Sequence, residues 1–186
     1  MRKMITVKIN GEERQYPQGA TYEDVANDYQ QEYENLIALA ARDGKIRELF
    51  KKLTRDCEVT FFTLKDDVGN KTYVRSATML FLKAVFDVYG REAARSCRVE
   101  FAIGNGSYIS PKGKINATEE NAAKIRNRMR ELVEAKTPFL KRSYSLDNAM
   151  ELFRKEGMKD KEKLFRYRRG SFVNIYEMDG YYDYYY

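Results

Sequence analysis

A chain of 186 residues, 43% of them hydrophobic, has enough apolar material for one large or two small packed domains and too much for a disordered segment. Its 34 Lys and Arg against 28 Asp and Glu give a net charge of +6. Histidine is absent, which removes the commonest general base, the commonest zinc ligand and the side chain that titrates near neutrality. The charge is uneven: residues 1–64 hold 10 basic against 11 acidic side chains, and the remainder 24 against 17, so an anionic partner should meet the second half. Cys57 and Cys97, far apart, read as free thiols in a reducing compartment. No apolar run approaches the ~20 residues of a membrane span, and the N-terminus opens directly on a strand pattern. A cytoplasmic protein with no membrane partner is expected.

Met4 to Asn10 alternates Ile5, Val7 and Ile9 with polar residues, the pattern of a half-buried strand. Asn10-Gly11 is a strong hairpin signal, so Glu12 to Tyr16 should return as a second strand, broken by Pro17 and Gly19. Thr21 caps a helix from Tyr22 to about Tyr29, with Asp24 completing an approximate capping box. From Glu32 to Leu53 the apolar spacing fits a helix, yet Asp43-Gly44 in mid-run fits a hairpin turn between Ile37–Arg42 and Lys45–Glu48. Val59 to Leu64 is a strand rich in β-branched and aromatic residues.

A helix from about Thr72 to Tyr89 is apolar nearly all round, which predicts a buried spine, and Gly90 ends it. Val99 to Ile103 alternates as a strand and runs into Gly104-Asn105-Gly106. That triplet lacks the third glycine of a dinucleotide fingerprint and the Gly-Lys-Ser/Thr of a phosphate loop, so it reads as a tight turn. Thr118 caps a long helix with Ile125, Met129, Leu132 and Val133 as its apolar stripe, ending before Pro138. Ser145 opens a shorter helix with Leu146, Ala149, Met150 and Phe153 inward, stopped by Gly157. A basic segment, Lys159 to Arg169, leads to a final strand at Phe172–Met178 and a tyrosine-rich end. That end reads as cut from a longer polypeptide, with its tyrosines packing against the rest of the parent chain; alternation in Tyr182–Tyr186 also fits an ordinary edge strand.

Two basic stretches are candidate contacts for nucleic acid or another anion. On the long helix these are Lys124, Arg126 and Arg130; Arg128 points about 160° away from the Arg126 and Arg130 face, so the arginines do not form one stripe. The second stretch holds Lys163, Arg166, Arg168 and Arg169 interleaved with Phe165 and Tyr167, as in single-strand binders. Arg75 on the spine helix completes the set. A solvated helix surface is the competing reading.

The order of the pieces resembles the N-terminal half of threonyl-tRNA synthetase. ITVKINGEERQYPQGATYEDVA and CEVTFFTL look like a TGS domain, a β-grasp (ubiquitin-like) module, over residues 1–64. KDDVGNKTYVRSATMLFLKAVFDVYG, AIGNGSYIS and EENAAKIRNRMRELV look like the second additional domain of threonyl- and alanyl-tRNA synthetases, over residues 65–186. The fold class implied is α+β: a β-grasp domain, then an α+β domain around a buried central helix, with Ile37–Glu48 a hairpin. The family's two helical histidines, cysteine and further histidine of its zinc and editing site fall on Ser76, Leu80, Tyr185 and beyond the last residue. Those residue types do not suit zinc, so the resemblance implies neither metal nor catalytic residues.

The same domain pair without zinc ligands is similar to the N-terminal region of bacterial uridine kinase-like (nucleoside kinase) proteins. That resemblance implies a non-catalytic accessory or regulatory region, with ATP and magnesium used by a C-terminal kinase domain as its partner. The alternative is an RNA- or tRNA-binding module derived from threonyl-tRNA synthetase, its editing activity lost.

Overall fold

The structure, a computed structural model, describes residues 3–104 and 106–185. It is α+β and falls into two compact units, Met1–Ser76 and Ala77–Tyr186.

The first unit is a five-stranded sheet with one helix laid on it. β1 (Met4–Ile9) turns back through Asn10-Gly11 into antiparallel β2 (Glu12–Pro17). Both turn residues have positive φ, 50° and 89°, which a two-residue turn matched to strand twist requires. α1 (Tyr22–Tyr29) starts at Thr21, where a full capping box forms: Asp24 N donates to Thr21 Oγ1 at 3.1 Å and Thr21 N to Asp24 Oδ2 at 2.7 Å. β3 (Ile37–Arg42) and β4 (Lys45–Arg47) form the hairpin around Asp43-Gly44, so turn chemistry prevails over the helical spacing of Leu36 to Leu53. β5 (Cys57–Thr63) runs parallel to β1 and antiparallel to β3, giving the order β2-β1-β5-β3-β4. Parallel pairing of the inner strands β1 and β5, flanked by antiparallel hairpins and covered by a single helix, is the β-grasp arrangement. Ile5, Val7, Ile9, Val59 and Phe61 from the sheet close on Tyr22, Val25, Ala26 and Tyr29 of α1.

α2 spans Asp67–Tyr89, beginning earlier than the apolar run, and the division between the units falls inside it. Its start is fastened locally: Thr63 N and Oγ1 both donate to Asp66 Oδ2, at 2.7 and 2.9 Å. The expectation of a helix buried along its whole length needs correction. Tyr73 and Val74 are exposed, and full burial is confined to Met79 and the turn Leu82–Val85.

In the second unit, α3 (Arg91–Ser96) follows α2, and a two-stranded hairpin, β6 (Arg98–Ile103) with β7 (Gly106–Ser110), comes next. The expected turn residue Asn105 lies outside the described residues. α4 (Glu119–Glu134) is capped by Thr118, whose Oγ1 accepts from Asn121 N. β8 (Leu140–Ser145) and α5 (Leu146–Lys155) lead to α6 (Lys159–Arg166), β9 (Phe172–Met178) and β10 (Tyr181–Asp183). The sheet order is β10-β9-β8, all antiparallel.

The C-terminal tyrosines correct a second expectation. Tyr181 and Tyr184 are core residues of this unit, and Tyr176, Tyr182 and Tyr185 pack against its two hydrophobic clusters. They are used inside the chain, because β10 turns its side chains back over α2 and α6; Tyr186 lies outside the described residues. Among the described residues no helix is long and apolar enough to cross a membrane.

Candidate nucleic-acid interface

The basic segment Lys159–Arg169 is mostly α6, a short helix that sequence reading left without structure. Its charges stand at helical spacing, and two positions carry the packing. Phe165 is 1% exposed and meets Phe153 at 5.5 Å between ring centroids and Tyr184 edge-on at 4.9 Å. Glu162 is buried beside it, where Oε1 accepts from Arg154 Nη2 at 3.0 Å and Arg166 Nη2 at 3.2 Å. The hydrogen bond from Arg154, helped by Arg166, holds the Glu162 carboxyl below the ordinary glutamate range.

These contacts sort the predicted residues. Arg166 is anchored by Glu162 yet its side chain is 59% exposed. Arg168 stacks its guanidinium over the Tyr184 ring at 5.3 Å. Lys163 and Arg169 are exposed. Phe165, which the sequence pairs with Tyr167 as a candidate stacking ring, is withdrawn into the core. Tyr167 is the opposite: 87% exposed at the end of α6, with Phe172, 67% exposed, opening β9 just beyond the loop. Sequence reading missed Phe172, because it placed that residue inside a strand without asking which face it presents. The result is a helix end and the loop after it, with two solvent-facing rings and four cationic side chains from Lys163 to Arg169, Lys163 and Arg166 on the last turn of α6 and Arg168 and Arg169 in the loop.

The α4 residues do not join into a stripe. Lys124 pairs with Glu120 at 2.7 Å, and Arg126 stands 3.6 Å from Glu119. Arg130 is exposed. Arg128 points inward as the helical repeat requires, its Nε donating to Asp87 Oδ2 at 2.9 Å. Arg75 is exposed and lies in the first unit.

The positions that correspond to the synthetase zinc site do not fit a metal. Ser76 Oγ donates to the Thr72 carbonyl at 3.0 Å within its own helix. Leu80 has no donor atom and packs, with Tyr185, against a hydrophobic cluster. Burial pushes the Tyr185 hydroxyl far above the ordinary tyrosine value, which disfavours the phenolate a metal would need. One turn beyond Leu80 stands a group the sequence did not flag. Lys83 is 2% exposed, and its Nζ donates to Asp87 Oδ1 at 2.7 Å, Asp179 O at 2.8 Å and Asp179 Oδ2 at 3.1 Å. With three hydrogen bonds to two residues, the Lys83 side chain is a structural clamp.

No family model matches the chain. Similarity to individual curated proteins is extensive. The chain is 27% identical to a threonine–tRNA ligase of Thermotoga neapolitana over 93% of its own length. It is 25% identical to that of Carboxydothermus hydrogenoformans over 92%, and 31% identical to that of Syntrophotalea carbinolica over 74%. The chain spans 28% of the length of the Thermotoga ligase and 23% of the Syntrophotalea one. The expectation of a uridine kinase-like parent, with its ATP and magnesium, draws no support from these relatives. Over most of its length, this chain is similar to one part of threonine–tRNA ligases.

Proposed function

We propose that this chain is an RNA-binding module related to threonyl-tRNA synthetase, and that it engages an unpaired stretch of tRNA without hydrolysing it. The observation that carries the reading is the end of α6 and the loop after it, where Tyr167 and Phe172 face solvent and Lys163, Arg166, Arg168 and Arg169 supply the charge. Exposed rings offer unpaired bases a stacking surface, and arginines and lysines hold the phosphates between them. The similarity to threonine–tRNA ligases supports tRNA as the nucleic acid, and the donor-poor Ser76, Leu80 and Tyr185 positions support binding without metal-dependent editing.

Fluorescence anisotropy with labelled tRNA tests this. The full chain should bind with an affinity that falls steeply as salt rises. Tyr167→Ala should weaken binding by about 5- to 150-fold, the equivalent of roughly 1–3 kcal/mol for one stacked base. Absence of binding at low salt, or an unchanged affinity for Tyr167→Ala, overturns the proposal.

A further inference from the structure

The second unit contains a cavity of about 700 Å³ that the α6 loop does not use. Its walls are Phe81 of α2, Ile109 of β7, Pro111 after it, and Ile125 and Met129 of α4, with Cys97 between them. A volume of this size, with an apolar wall and a polar side that includes Ser107, Asn116, Thr118 and Asn121, is that of a small-molecule site. Its polar groups are concentrated at the α4 side, where Arg126 and Glu119 line it.

Arg126 decides what chemistry would enter. Its side chain is 56% exposed, so the guanidinium stands at the mouth and not in the wall. Glu119 Oε1 is 3.6 Å from it, beyond hydrogen-bond range, and is itself 86% exposed to water. This loose ion pair is solvent-exposed and not hydrogen-bonded, so a bidentate acceptor with the geometry of a carboxylate can displace it from the planar guanidinium fork. We infer that this cavity binds a small amphipathic carboxylic acid, its apolar body against Phe81, Ile109, Ile125 and Met129 and its carboxylate on Arg126. Glu119 opposes such a ligand by like charge, which makes the two rim residues act in opposite directions.

The chain carries its own reporter. Cys97 lines the cavity, Cys57 lies in the first unit, both are half-buried free thiols, and burial raises the pKa of each. Burial slows both thiols toward an alkylating reagent, so each cysteine is read against its own rate without ligand. The experiment labels the full chain with N-ethylmaleimide in the presence of decanoate kept below its micelle concentration, and follows each cysteine by peptide mass spectrometry. Decanoate should slow labelling of Cys97 and leave Cys57 unchanged, and decanol, lacking the charge, should need about tenfold more for the same protection. Arg126→Gln should raise the half-protecting decanoate concentration by about tenfold, and Glu119→Gln should lower it. Three results overturn the inference: no protection of Cys97, equal protection of both cysteines, or equal potency of decanol and decanoate with Arg126→Gln silent.

Discussion

At the scale of single residues, the junction between β5 and α2 shows how few atoms decide a fold. Gly69 lies against the chain it has just left. A Cβ built there would run into the Thr63 carbonyl oxygen, with Thr63 C at 2.8 Å and Ala38 Cβ at 3.6 Å. The obstruction is backbone and cannot swing aside, so Gly69→Ala should cost about 3 kcal/mol, measured as a shift in the urea unfolding midpoint. Gly11, with φ of 89° and nothing near its missing side chain, should lose only about 1–2 kcal/mol on the same change, through backbone strain alone. If the two variants are equally stable, close approach is not what Gly69 provides. The neighbouring Asp66 adds a pH dependence. Two hydrogen bonds from Thr63, the backbone one the stronger influence, hold its carboxyl below the ordinary value of 3.8. A depressed folded-state value means the stabilisation is complete above the ordinary value and is lost as pH falls through the folded one. Asp66→Asn should therefore lose stability near neutrality and shrink the stability difference between neutral pH and about pH 3. A variant with the full wild-type acid sensitivity would assign that sensitivity to other carboxylates.

At the scale of elements, Lys83 ties the middle of α2 to the turn between β9 and β10. Removing it opens a void at a fully buried position and leaves Asp87 with Arg128 as its remaining partner, so Lys83→Ala should cost about 3–5 kcal/mol in a denaturant melt. Lys83→Met keeps the volume, and Asp179, 66% exposed, can take water instead, so its loss should be smaller, about 1–2 kcal/mol. Equal losses for the two would show that the charge and its hydrogen bonds, not packing, are what the position supplies. The same residue marks the limit of what could be read beforehand. α1, α4 and α5 were legible because their caps, Thr21, Thr118 and Ser145, act on amides three residues away. The Asp43-Gly44 hairpin was not decided by the residues alone, where helical spacing and turn chemistry competed, and came only with the resemblance to the synthetase domain. Lys83 was not, because its acceptors on Asp179 stand 96 residues along the chain. α6 hid for a different reason: six basic residues from Lys159 to Arg169 resemble a basic loop, and the helix rests on the burial of Phe165 and Glu162, which are chosen by tertiary packing. Tyr167 and Phe165 illustrate the candidate site in miniature, two rings two residues apart in sequence with opposite exposure.

At the scale of the whole molecule, charge is partitioned with the fold. Met1–Ser76 carries 13 basic and 13 acidic residues and is neutral, whereas Ala77–Tyr186 carries 21 against 15 and holds the entire +6. A diffuse positive field and a specific contact both predict RNA affinity that weakens with salt, but they differ in where charge can be removed. Each lysine or arginine that meets a phosphate of a single strand contributes about 0.7 to the slope of log affinity against log salt. Changing Lys163, Arg166 and Arg169 together to Gln should thus lower that slope by about 2. Changing three exposed lysines of the neutral unit, Lys8, Lys45 and Lys52, removes the same formal charge from the same chain and should leave the slope where it was. Anisotropy titrations of both triple variants across a salt series separate the two pictures. A slope that falls equally in both would assign the binding to net charge at a distance and deny the α6 loop its contact with the nucleic acid.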